Sequence, residues 1–215
     1  VLESIGVKIK WNDNNDLEIR RPAKLALDKI NKQSAVKTRS VLMLLGVLMH
    51  EYKQFRLPYA GGCKLGRRSV APHLFALENF GVTIKASTGR YDVTVSKKPA
   101  GDFVLYEQGN TVTNNALLAA AGTVSETVIQ AASADYMVQD LCLFLQKLGV
   151  KISGFGSTSL TIKGVHNIKK NITYAPTEDP IEAMFFISTA IVTNSKLTIK
   201  RVPFRWIGLE LLKLK

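Results

Sequence analysis

"DFVLYEQGNTVTNNALLAAAGTVSETVIQAASADYMVQDLCLFLQKLGVKISGFGSTSLTIKG", residues 102–164, contains one complete structural unit. "DFVLYE" and "ETVIQAA" are short runs rich in β-branched and aromatic residues and read as strands. Between them "TVTNNALLAAAG" reads as a helix that ends on glycine. "MVQDLCLFLQKLG" repeats that helical pattern, and "VKISGFG" and "STSLTIKG" form two strands joined by a glycine turn. The predicted order is βαβαββ.

The same unit recurs. "LESIGVKIK", "LENFGVTIK" and "LQKLGVKIS" share one pattern centred on Gly6, Gly81 and Gly149. Each predicts a helix closed by a left-handed glycine and followed by a strand. A second shared helix occurs as "KTRSVLMLLGVLM", "TVTNNALLAAAG" and "DPIEAMFFISTAIV", each followed by a predicted strand: "QFRLP", "ETVIQA" and "KLTIKRV". The middle copy runs from "SVLMLLGVLM" through "FRLPY", "HLFALENFG" and "VTIKAS" to "RYDVTVSKK". Repeated βαβαββ units predict an α/β fold. "NNALLAAAG" and "EAMFFISTAIV" have little polar face, so helices inside and sheets outside is the expected packing.

The 215 residues, 46% hydrophobic and 21% charged, suffice for one large domain or two smaller ones. The formal charge of +12 makes the chain attractive to anions, from nucleic acid to phosphorylated metabolites. Two cysteines, Cys63 and Cys142, cannot build a disulfide framework, and Cys142 sits in an apolar run as an expected core residue. The three histidines are isolated, so no metal site and no cofactor is expected. The apolar run "VLMLLGVLM" is far shorter than the ~20 residues of a membrane span. With no signal-peptide pattern, a cytoplasmic location is expected. The chain starts without Met and stops inside a helical pattern, so both ends read as cut.

Three places could carry chemistry. In "LPYAGGCKLGRRSV" a glycine pair precedes Cys63, and Lys64, Arg67 and Arg68 surround it with positive charge. Such neighbours favour the thiolate; a glycine hairpin with a surface thiol is the alternative. Lys37 and Arg39 stand where a helix begins, an unfavourable place for cations. A bound anion would explain them, as would side chains that reach into water. The "YEQGNTVTNN" loop, Tyr106 to Asn115, suits phosphate or hydroxyl ligands, and equally suits helix capping by Asn110 or Thr111. The sequence has no G-x-S-x-G, P-loop or dinucleotide fingerprint, and no helix face lined with basic residues for DNA.

Taken together, "LPYAGGCKLGRRSVAPHLFALENFGVTI" and the stretch from "GNTVTNN" to "LTIKGV" resemble the UDP-N-acetylglucosamine enolpyruvyl transferase (1-carboxyvinyltransferase) family, within the enolpyruvyl transferase superfamily. The resemblance covers nearly the whole chain, and Gly-Gly-Cys-x-x-Gly-x-Arg is its most specific element. It implies an inside-out α/β barrel with two domains of three βαβαββ units each. Residues 1–176 would then be most of the domain with the cysteine loop, and 177–215 the start of the other, the crossing falling near Pro176. The implied reaction transfers the enolpyruvyl group of phosphoenolpyruvate to the 3-hydroxyl of UDP-N-acetylglucosamine and releases phosphate, the first committed step of peptidoglycan precursor synthesis. Cys63 matches the family's proton donor. Arg68 matches an arginine that meets substrate phosphate, and Arg39 one that contacts the nucleotide sugar. Ser69, Val70, Ala71 and Pro72 match the uridine-binding segment, and Glu107, Gln108 and Gly109 a second nucleotide-contact loop. The chain departs from the family pattern at Ala60, Ser69, Ala71, Pro72 and Pro180. The expected partners are the two small-molecule substrates, with no nucleic acid and no membrane. The competing reading is a family-shaped protein that binds nucleotide or RNA without this transfer, since RNA 3′-phosphate cyclases share a related repeat.

Overall fold

In the computed structural model the structure describes residues 1–13, 15–61, 69–96, 98 and 100–215. The chain divides into two compact units, Val1–Lys170 and Asn171–Lys215.

The first unit opens with a 3-10 turn, Glu3–Ile5, and an antiparallel hairpin of β1 (Lys8–Trp11) and β2 (Leu17–Arg20). A short helix α1 (Lys32–Ala35) follows, then a 3-10 turn over Ser40–Leu42 that runs into α2 (Met43–Leu48). The middle copy continues with β3 (Gln54–Pro58), α3 (Ala71–Glu78), β4 (Val82–Ser87) and β5 (Arg90–Val95). The unit read from residues 102–164 appears in the predicted order: β6 (Asp102–Val104), α4 (Asn110–Ala121), β7 (Glu126–Gln130), α5 (Tyr136–Lys147), β8 (Lys151–Ser153) and β9 (Ser159–Lys163).

One sheet has the order β3-β5-β4 with antiparallel pairs. The other has the order β6-β7-β9-β8, with β6 parallel to β7 and the remaining pairs antiparallel. The parallel pair is the two strands that α4 connects, as a crossover helix requires. Gly6, Gly81 and Gly149 all have positive φ, at 95°, 77° and 103°. The shared sequence pattern is thus one backbone joint used three times, at a conformation that costs L side chains energy.

The strands alternate buried and exposed residues, as in β7 and β9, so one face of each sheet meets the core and the other meets solvent. The core lies between the sheets. Val112, Ala116, Leu117 and Ala119 of α4 are wholly buried, and α4 packs against α2, α3 and α5. The apolar circumference of α4 therefore has the interior position expected of it. Cys142 is buried too, and burial pushes its thiol up to about 12.

Close approach of α2 and α4 depends on Gly46. A Cβ there would lie 2.5 Å from the Asn115 carbonyl oxygen and 2.6 Å from Asn115 Oδ1. Among the described residues the sheets do not join into a closed barrel.

The second unit holds α6 (Pro180–Val192) and α7 (Gly208–Lys213). Asp179 caps α6, accepting from the N–H groups of Ile181 (2.8 Å) and Glu182 (3.3 Å), and Pro180 fills the first position, where no N–H is needed. Two expectations fail here. The strand predicted at "KLTIKRV" is not formed, because among the described residues of this unit there is no strand to pair with it. The helix expected to be buried all round has only Pro180 and Ala183 buried, with Phe185 and Val192 exposed, since no sheet of the unit lies over it.

Candidate functional site

The candidate residues of the first unit come from three short segments: Val36–Arg39 ahead of α2, the approach to α3, and the loop from β6 into α4. Cys63 and Arg68 lie outside the described residues. The chain on both sides of them is placed by its contacts. Gly61 donates to the Ala35 carbonyl at 3.4 Å, and a Cβ at Gly61 would lie 1.3 Å from the Val36 oxygen. Only glycine lets the backbone pass there. Beyond the loop, Arg39 Nη2 donates to the Ser69 carbonyl at 2.6 Å. Arg39 is half-buried, and the structure brings it to Ser69.

Ser69 also accepts from the Ala71 N–H through Oγ (3.1 Å), which closes the turn into α3. Ser69 and Ala71 are exposed, Val70 is half-buried and Pro72 is buried, at the first turn of the helix. Two of these four residues therefore reach solvent.

Glu107 and Gln108 are exposed and Gly109 is half-buried. Gln108 Nε2 donates to the Ala132 carbonyl (3.0 Å), which ties the loop to the segment before α5. Gly109 is the N-cap of α4 and supplies no side-chain cap. Capping by Asn110 or Thr111 is thus not what this loop does. Asn110 instead accepts from Ser133 Oγ at 2.6 Å, and Thr113 Oγ1 accepts from the Ser133 N–H at 3.0 Å. The first turn of α4 therefore has no side-chain cap from its N-cap residue. In the "ASADYM" loop Asp135 caps α5 by accepting from the Met137 N–H at 2.9 Å.

The approach to α3 and the loop into α4 are neighbours. Phe75 and Tyr106 rings meet with centroids 6.0 Å apart, and His73 Nε2 lies 3.5 Å from Thr111 Oγ1. His73 is 1% exposed, and burial, with the positive charge of Arg39 in addition, pushes its pKa down to about 4. Burial and nearby Tyr59 raise the pKa of Tyr91, with Arg39 opposing them. His73 is therefore neutral near pH 7, beside the Arg39 guanidinium. Among the described residues the arrangement offers the Arg39 guanidinium, hydroxyls and a helix start without a side-chain cap, a set suited to a polyanion. No three His, Cys, Asp or Glu side chains gather to hold a metal among the described residues. An open groove of about 690 Å³ lies elsewhere, lined by Tyr52, Phe55, Arg56, Arg90 and Asp92, and none of the described candidate residues lines it.

Sequence reading missed His73 and Asn115. The signals were present: an isolated glycine inside the apolar run of α2, and a histidine and an asparagine within otherwise apolar helices.

The EPSP synthase (3-phosphoshikimate 1-carboxyvinyltransferase) family model matches residues 1–212. The chain belongs to this family. It is 34% identical over 206 residues to UDP-N-acetylglucosamine 1-carboxyvinyltransferase of Helicobacter pylori (strain P12), which covers 94% of this chain and 48% of that protein. It is 34% identical over 201 residues to the protein of the same name from Bradyrhizobium diazoefficiens, covering 94% and 46%. The chain spans about half the length of these curated relatives. Among solved structures, the enolpyruvyl transferase NikO from Streptomyces tendae superposes with a TM-score of 0.68 at 20% identity, over 86% of this chain and 44% of that one. EPSP synthase from Acinetobacter baumannii gives 0.51 at 17% identity, over 76% and 39%. The family's fold is therefore the fold of this chain, and the α/β class read from the repeats stands. No helix among the described residues is long and apolar enough to cross a membrane.

Proposed function

We propose that the chain is part of an enolpyruvyl transferase that moves the enolpyruvyl group of phosphoenolpyruvate to the 3-hydroxyl of UDP-N-acetylglucosamine, in peptidoglycan precursor synthesis in the cytoplasm. One observation carries this reading: the match to UDP-N-acetylglucosamine 1-carboxyvinyltransferases along nearly the whole chain. The site's chemistry agrees with it, because both substrates are polyanions and Arg39 holds a guanidinium at the Ser69 carbonyl.

In this reading residues 1–176 form most of one three-unit domain of an inside-out α/β barrel, and residues 177–215 begin the second. Arg39, Ser69, Val70, Ala71 and Pro72 hold one side of the nucleotide sugar, and Glu107, Gln108 and Gly109 hold the other. Arg68 meets phosphate. The sugar hydroxyl adds to the central carbon of phosphoenolpyruvate and gives up its proton, which leaves with the phosphate, while the Cys63 thiol gives a proton to the methylene carbon. Phosphate then departs and one proton of the new methyl group returns to the Cys63 thiolate, which restores the double bond and the thiol. No cofactor takes part in these steps.

The test is phosphate release by the full gene product that carries these residues. Release should require both phosphoenolpyruvate and UDP-N-acetylglucosamine. Release that ignores the UDP-sugar refutes the reading, as does steeply salt-dependent RNA binding without any response to it.

A further inference from the structure

His73 is buried, and both of its ring nitrogens face polar atoms whose roles can be worked out. Asn115 is the key. Its Oδ1 lies 2.9 Å from the backbone nitrogen of Gly46, which can only donate. The atom there must therefore be the amide oxygen. Nδ2 then donates to the Leu42 carbonyl at 3.1 Å. Its other hydrogen meets His73 Nδ1 at 3.2 Å. An amide N–H donates only, so Nδ1 must hold a lone pair, and the ring proton sits on Nε2.

Nε2 faces Thr111 Oγ1 at 3.5 Å. The Thr111 oxygen accepts on that side, so its own hydrogen is directed elsewhere. Thr111 is exposed and is the second residue of α4, next to N–H groups without a side-chain cap. Burial of the ring, and the charge of Arg39 in addition, disfavour a second proton.

We propose that the Gly46–Asn115–His73 chain fixes the Thr111 hydroxyl as an outward donor to an acceptor oxygen of the nucleotide sugar. Thr111 is then a binding residue of the site, and His73 and Asn115 are positioning residues. The ligand half of this inference rests on the function proposed above; the tautomer half does not.

Long-range proton–nitrogen correlation on the nitrogen-labelled 215-residue chain near pH 7 tests the tautomer directly. His73 should show a protonated Nε2 and a bare Nδ1; the reverse form overturns the inference. Asn115→Asp replaces the donor at Nδ1 with an acceptor and should move a proton onto Nδ1, and an unchanged spectrum in the folded variant also overturns it. If that variant does not fold, the wild-type spectrum alone decides. In the full gene product, Thr111→Val should raise KM for UDP-N-acetylglucosamine about tenfold with kcat within about twofold, and Thr111→Ser should restore it. An unchanged KM overturns the ligand half. If the wild-type product does not use UDP-N-acetylglucosamine at all, the ligand half falls with the proposed function, and the tautomer spectrum still stands or falls by itself.

Discussion

Acidification should weaken this fold through His73 in a way that can be separated from every other group. The folded-state pKa is about 4, and the ordinary value is 6.5. Between these two values the unfolded chain binds a proton at His73 that the folded chain refuses. Stability therefore rises with pH across that window, and is lost as pH falls from 6.5 towards 4. The distance between the two values, at roughly 1.4 kcal/mol per pH unit, makes about 3 kcal/mol. That is a large share of the ~5–15 kcal/mol by which domains are usually stable. The cause is physical: a ring buried against α4 loses its hydration, and Arg39 repels the added charge. The assay is denaturant unfolding of the chain and of His73→Gln at a series of pH values from about 7.5 to 4, compared at equal slope. The gap in stability between the two proteins should shrink by about 3 kcal/mol over that range. A gap that stays constant with pH would refute the reasoning, because it would mean that His73 is already protonated in the fold, or that it is hydrated there.

Other outcomes follow from the same contacts. Gly46→Ala, which in an open helix would stabilise by about 1 kcal/mol, should here cost roughly 1–3 kcal/mol because the new Cβ meets Asn115; thermal unfolding gives the sign. Arg39→Ala should raise KM for UDP-N-acetylglucosamine at least about tenfold, measured by phosphate release, since it removes both a cation and the grip on Ser69. Cys63→Ala should lower kcat for phosphate release about a hundredfold or more, by loss of the proton donor; an unaltered rate removes that role. Cys142 should resist a thiol reagent near pH 8 until denaturant is added, because burial holds its thiol proton, and mass spectrometry of the labelled chain reads this.

The fold was legible where the sequence repeats itself. Gly6, Gly81 and Gly149 marked the same joint, and the backbone places each in the left-handed region. The hydrophobic alternation of "ETVIQ" and "SLTIK" marked strands that pair with each other. The strand expected at 196–202 failed because a strand is a property of two segments, and its local pattern holds no information about a missing partner. The site was half legible. Arg39 stood out as a cation at a helix start, and the structure brings it to Ser69. The His73–Asn115 pair was not legible, since the two positions are distant in sequence and each alone looks like a buried polar residue in an apolar helix. The unusual clue was Gly46, whose absent side chain makes room for the Asn115 oxygen.

Gly61 and Ser69 bracket residues 62–68, and both are held by the same short stretch of chain, Gly61 at Ala35–Val36 and Ser69 at Arg39. Two positions on either side of the cysteine are therefore anchored to a third segment by the fold itself. Bringing distant parts of a chain together costs conformational entropy that grows with the logarithm of their separation. For Gly61 and Ser69 that cost is met during folding. A ligand that contacts Arg39 and Ser69 would meet positions already set, and more of its contact energy would be left to appear as affinity.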